Sequence, residues 1–74
     1  MIATEVIKMR FTVRQARRLS EVSQREIARK LGISVDTYRN IERHPNKATI
    51  WQAQKISEIT KIPCDNIFFG GDSA

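Results

Sequence analysis

Residues Ser23 to Arg43 read SQREIARKLGISVDTYRNIER, and the single glycine in this run constrains the fold more than any other feature. Ile27, Ala28 and Leu31 repeat at helical spacing before Gly32, and Tyr38 and Ile41 recur three apart after it. Glycine reaches left-handed backbone angles without the roughly 1–2 kcal/mol cost that other residues meet, so Gly32 is where one helix can stop and the chain turn sharply. Ile33 then plugs the corner, Ser34 can cap the next helix, and Asp36 falls in its first turn, where the helix dipole favours an acid. Small Ala28 lets the two helices approach closely. The pattern predicts a helix over Gln24 to Leu31, a corner, and a helix ending near Arg43, because Pro45 biases His44 out of the helical region.

Capping signals mark the remaining helices. Thr12 with Gln15, Ser23 with Glu26 and Thr49 with Gln52 each have the spacing of a capping box. The first helix should run to about Glu21, with Val13, Ala16 and Leu19 or Ser20 inward and Arg14 and Arg18 facing solvent or a partner. The helix after Thr49 should carry Ile50, Ala53, Ile56 and Thr60 or Ile59 on its inner face. Pro63 opens a last short helix, with Asp65 in its first turn and Ile67 with Phe68 or Phe69 packing inward; Gly70 and Gly71 release the tail. Ahead of the first helix, Ile7 to Phe11 alternates apolar and polar residues, an extended lead-in whose Met9 and Phe11 touch the body. The expected organisation is a lead-in over residues 1–10, one folded domain over 11–69 and a flexible tail over 70–74. The fold class is all-α: five short helices in one compact domain.

A chain of 74 residues, 41% hydrophobic and 28% charged, has room for one small core without metals or disulfides and none for a second module. Its formal charge of +5 is uneven: residues 1–30 carry eight Lys or Arg against three acids, residues 31–47 three against two, and residues 48–74 two against three. Positive potential therefore gathers in the N-terminal two-thirds. That is the footprint of a nucleic-acid binder, although a solvated basic face has the same composition. Cys64 is the sole cysteine, which excludes an intramolecular disulfide and fits a reducing compartment. MIATEVIKMR lacks the sustained apolar core of a signal peptide, and no run approaches the roughly 20 apolar residues of a membrane span. The expectation is a soluble, cytoplasmic protein with no membrane association. There is no histidine pair, no carboxylate pair with a recognisable pocket, no nucleophile motif and no glycine-rich phosphate loop. An enzyme is not expected, nor any cofactor, metal or small-molecule ligand; His44 has no second histidine to join it and Cys64 is distant in sequence.

Two helices sharing Ile27, Leu31, Ile33, Tyr38 and Ile41 across a glycine corner meet the requirements of a helix-turn-helix, whose first helix crosses the DNA backbone while the second lies in the major groove. On "SQREIARKLGIS", "YRNIER" and the ending "ISEITKIPCDNIFF", the sequence resembles the phage repressor and Cro family of DNA-binding domains, also called the Xre family, over roughly Phe11 to Phe69. The resemblance implies a five-helix, lambda-repressor-like domain of phage or prophage type. It implies binding to double-stranded operator DNA, usually as a homodimer, and a role in transcriptional control. It implies further that Arg17 pairs with Glu42, and that Val35, Asp36 and Asn40 occupy the family's main base-reading positions. The family commonly carries glycine directly after the Glu-x pair that ends the recognition helix. This chain has His44 and then Pro45, a departure that leaves the loop path through Asn46 and Lys47 open.

Candidate base contacts are Val35, Asp36, Thr37, Arg39 and Asn40. Val35 can touch a thymine methyl, Asn40 can pair with adenine N6 and N7, and Arg39 can pair with guanine O6 and N7 or reach a phosphate instead. Asp36 can accept from cytosine N4, or it serves only the helix dipole, by roughly 0.3–1 kcal/mol. Gln24, Ser34, Arg43, Asn46 and Lys47 suit phosphates. Trp51 can cover the core edge, touch DNA sugars or meet a second subunit, and one of Phe68 and Phe69 can join a two-fold contact. The competing function is a protein-binding module on the same fold, such as an antitoxin-like partner, with Trp51 and Phe68 or Phe69 as its adhesive surface.

Overall fold

A computed structural model of the chain describes residues 10–70. Strand β1 (Phe11–Thr12) leads into helix α1 (Val13–Leu19), followed by α2 (Gln24–Leu31) and α3 (Val35–Arg43). A 3-10 turn (Pro45–Lys47) precedes α4 (Ile50–Thr60), and a second (Cys64–Asn66) precedes strand β2 (Ile67–Phe68).

The helix starts are built from neighbouring residues. At α1 the Gln15 amide donates to Thr12 Oγ1 at 3.0 Å while the Thr12 amide donates to Gln15 Oε1 at 2.9 Å, and Thr49 with Gln52 repeats the exchange at α4. Ser23 accepts from the Glu26 amide at 3.0 Å, but here the box is half made: the Glu26 carboxylate turns forward, 4.0 Å from Lys30 Nζ. Gly32 ends α2 at φ +73, and the Gly32 and Ile33 amides donate back to the Arg29 and Ala28 carbonyls at 3.1 and 3.0 Å. Both bonds satisfy carbonyls that a helix end otherwise leaves open, and they aim α3 across α2.

One apolar cluster joins all four helices: Val13 and Ala16 from α1, Ile27, Ala28 and Leu31 from α2, Tyr38 and Ile41 from α3, Ile56 from α4, with Ile67 of β2. Each large aliphatic side chain fully buried there contributes roughly 1.5–3 kcal/mol. Among the described residues Thr60 is the buried polar one, and its hydroxyl donates to the Ile56 carbonyl at 2.8 Å.

Two expectations are corrected and two alternatives are resolved. The fifth helix is absent from the described residues: after Pro63 the chain makes one 3-10 turn and then extends, so that β2 pairs in parallel with β1, Phe11 opposite Ile67 and Thr12 opposite Phe68. The segment is too short for more than a marginal helix, whereas a strand beside β1 gains ladder bonds and drives Ile67 into the core. Ile50 is 79% exposed: it stands in the first turn of α4, outside the body, and the buried residues of that helix, Ile56 and Thr60, come further along. At the end of α1, Leu19 is 60% exposed and Ser20 is the half-buried residue. Of the two phenylalanines, Phe69 packs against the core and Phe68 faces outward. Phe11 also packs on the core, while Ile7, Met9 and the tail over 71–74 lie outside the described residues. Gly70, at φ +76, sits where an added Cβ would lie 3.5 Å from the Asn46 backbone nitrogen, so the end of the domain abuts the turn after α3.

Candidate nucleic-acid interface

The inner side of α3 is fastened before its outer side can present anything. Tyr38 and Ile41 are buried, and Glu42 beside them is a junction for three elements. Its Oε2 accepts from Arg17 Nε of α1 at 2.6 Å and from the Tyr38 hydroxyl at 2.7 Å, and its Oε1 accepts from Gln24 Nε2 of α2 at 2.9 Å. Arg17 also donates through one terminal nitrogen to the Val22 carbonyl at 3.0 Å, closing the α1–α2 connection. Burial by itself would raise the Glu42 carboxyl, but the hydrogen bonds from Arg17, Tyr38 and Gln24 and the Arg17 charge outweigh it and hold the group below its ordinary value of 4.5. Burial, then the hydrogen bond to Glu42 and its charge, push the Tyr38 phenol well above its ordinary value of 10.0.

The outer side of α3 carries Asp36, Thr37, Arg39, Asn40 and Arg43, all exposed. Val35 differs from these: it is half-buried and packs on the core, leaving part of its side chain at the surface. Ser34 caps the helix, accepting from the Thr37 amide at 3.1 Å, and its hydroxyl donates to Thr37 Oγ1 at 2.9 Å. Asn40 and Arg43 have no side-chain partner among the described residues. Arg39 is tied at two points, with Nε donating to Gln24 Oε1 at 3.1 Å and a terminal nitrogen to Asp36 Oδ1 at 3.3 Å. Asp36 is thus the partner of a neighbouring arginine on α3 while remaining 92% exposed.

Gln24 therefore differs from a free surface amide: its nitrogen serves Glu42 and its oxygen serves Arg39. Nothing in the composition of "SQREIARKLGIS" signalled that double engagement. The hydroxyl of Tyr38 was also missed, although Tyr38 and Glu42 stand one helical turn apart and that spacing could have revealed it. Beyond α3, His44 keeps a negative φ of -131, so the turn is made without the glycine that the family resemblance leads one to expect, and Pro45 begins the 3-10 turn. Lys47 and Ala48 amides close it onto the His44 and Pro45 carbonyls at 2.9 and 3.1 Å, leaving the Asn46 and Lys47 side chains exposed just past α3.

The candidate partner surface is divided. Trp51 on α4 is 56% exposed, with Lys55 Nζ 5.9 Å from its ring centre. Phe68 and Phe69 border a separate open hollow with Arg10, Cys64, Asp65, Ile67 and Gly70. Among the described residues, no helix is long and apolar enough to cross a membrane.

A family model described as helix-turn-helix matches residues 13–67, more than half of the chain. No curated protein and no solved structure matches it.

Proposed function

We propose that this chain, which belongs to the helix-turn-helix family of the phage repressor and Cro type, is a sequence-specific transcriptional regulator that lays α3 in the major groove of double-stranded operator DNA. Family membership makes DNA its partner and a DNA-binding role, typically non-enzymatic, its general function. The observation that carries the finer reading is the contrast across α3. One side is pinned by Tyr38, Ile41 and the Glu42 junction, and the other holds a projecting polar row from Asp36 to Arg43 that no described residue covers.

Each side chain has a task in this reading. Asn40, with its amide unengaged, pairs with adenine N6 and N7; Thr37 and the exposed part of Val35 meet base edges and a thymine methyl. Asp36 faces the groove as the partner of Arg39, so reading cytosine requires that pair to open. Arg43, Asn46 and Lys47 at the end of α3 and on the turn after it contact phosphates and set register, aided by Ser34 and Gln24 at the helix starts. Two copies on one operator, joined near the Phe68 and Phe69 end, place half-sites about 10 base pairs apart.

Selection of bound duplexes from a random library, with the mass in solution and on DNA, tests this. A two-fold consensus with that spacing is expected. Ile50 and Trp51, exposed together at the start of α4, favour the second reading, a protein-binding module on the same fold such as an antitoxin-like partner. A folded protein that retains no duplex even at low salt would overturn the first reading in favour of the second.

A further inference from the structure

Beside the projecting row of α3 lies an open cleft between α1, α2 and α3, lined by Arg14, Arg17, Gln24, Arg39, Glu42 and Arg43. Four guanidinium groups line it against one carboxylate, a surplus of three positive charges. The floor is electrically closed, because Glu42 is matched by Arg17 at 2.6 Å and its remaining oxygen is taken by Gln24. The floor therefore neither attracts nor repels an anion strongly. The rim behaves differently: Arg14 from α1 and Arg43 from α3 are exposed and have no hydrogen bond or ion pair among the described residues. Arg39 lines the same cleft and is held toward α2 by its bond to Gln24. An arginine has five N–H donors, and the bonds to Gln24 and Asp36 engage two of Arg39's, leaving the rest of its planar fork available.

We infer that this cleft seats one backbone phosphate of the bound duplex, held by Arg14, Arg39 and Arg43. The inference rests on the DNA-binding reading above and deepens it. It adds α1 to the interface through Arg14, and it assigns Arg39 to the phosphodiester rather than to guanine. A phosphodiester spreads its charge over two oxygens that planar guanidinium forks match well, and Arg43, already beside the turn after α3, continues the same track. Arg14, Arg39 and Arg43 line one opening, and Asp36 offsets only the charge of Arg39, so a net positive charge is left there for an anion. The closed Arg17–Glu42 floor keeps that anion at the rim, within reach of a strand crossing the cleft.

The test compares the parent with Arg14→Ala, Arg14→Lys and Arg39→Ala on the selected operator and on an unrelated duplex across a salt series. Arg14→Ala should weaken both duplexes alike and reduce the slope of log affinity against log salt by about 0.9, so that the loss between 50 and 200 mM salt shrinks by about three- to fourfold. Arg14→Lys should restore the slope, and Arg39→Ala should again act on both duplexes. If the parent binds but Arg14→Ala leaves its slope unchanged, the cleft assignment is wrong while the DNA reading stands. A loss in Arg39→Ala confined to the operator makes Arg39 a base reader and breaks the three-arginine seat. A parent that binds no duplex at low salt removes both. Free phosphate supplies the same chemistry, so melting in inorganic phosphate is compared with chloride at equal ionic strength. No difference is expected. A rise seen in the parent and absent in Arg14→Ala would make this a free-anion site and overturn the duplex assignment.

Discussion

Helix α3 takes part in two arginine–carboxylate pairs, one reaching across to α1 and one within the helix, whose chemistry is the same and whose surroundings are opposite. Arg17 and Glu42 meet at 2.6 Å with side chains 12% and 7% exposed, whereas Arg39 and Asp36 meet at 3.3 Å with side chains 50% and 92% exposed. The inner pair is supported by Tyr38, Gln24 and the Val22 carbonyl, so each polar atom taken out of water has a partner. The outer pair trades contact with water for contact with one neighbour and gains little. The difference divides the labour of the helix. A buried pair that is expensive to break sets where α3 lies, and an exposed pair that opens at little cost can be rearranged by whatever the helix meets.

The comparison breaks most severely at Arg17. Arg17→Met leaves the Glu42 carboxylate buried without its cation, and chemical denaturation should register a loss of about 3–5 kcal/mol. A loss below about 1 kcal/mol would show that the inner pair is energetically a surface pair. Tyr38→Phe removes one donor to the same carboxylate and should cost about 1.5–3 kcal/mol by the same measurement, with the helical circular-dichroism signal unchanged.

The inner network should also imprint two limbs on stability against pH. The folded Glu42 carboxyl lies below its ordinary 4.5, so its contribution is complete above that value and is lost as pH falls through 4.5 toward the folded value. The folded Tyr38 phenol lies above 10.0, so its contribution is complete below that value and declines as pH rises past it, where the unfolded chain ionises first. Thermal melts across pH should lose most of the acid limb in Glu42→Gln and most of the alkaline limb in Tyr38→Phe. Smallest of all is the effect at the outer pair. Asp36→Asn should change stability by less than about 1 kcal/mol, and that change should fade as salt is raised. In duplex binding it should strengthen affinity by removing a carboxylate from the groove. An altered selected consensus would identify Asp36 as a base reader, and an unaltered one as a partner of Arg39 alone.

Much of the fold is legible in the amino-acid sequence because its signals are local. Thr12, Ser34 and Thr49 cap their helices through bonds that close within three residues, and Gly32 turns the chain with bonds to Ala28 and Arg29. Where the local pattern misleads, the deciding partner lies far away in the chain. Asp65 and Ile67 suit a last helix by themselves, but β1 offers Ile67 and Phe68 a ladder that the local pattern does not contain. Ile50 belongs to an acceptable helical stripe, yet which side of α4 meets the core depends on how α2 and β2 fill it.

The site divides in the same way. The outward row on α3 follows from periodicity, since Tyr38 and Ile41 inward leave Asp36, Arg39, Asn40 and Arg43 outward. The joint use of Gln24 by Glu42 and Arg39, and the gathering of Arg14 beside Arg39 and Arg43, required the helices to be placed against one another. The amino-acid order by itself determined where helices begin, where the corner falls and which side of α3 is polar, because backbone hydrogen bonds and side-chain periodicity act over a few residues. Only the tertiary structure decided which charges are paired, which are left at the cleft and which rings stay outside, because those outcomes depend on distances between side chains that the chain brings together from separate helices.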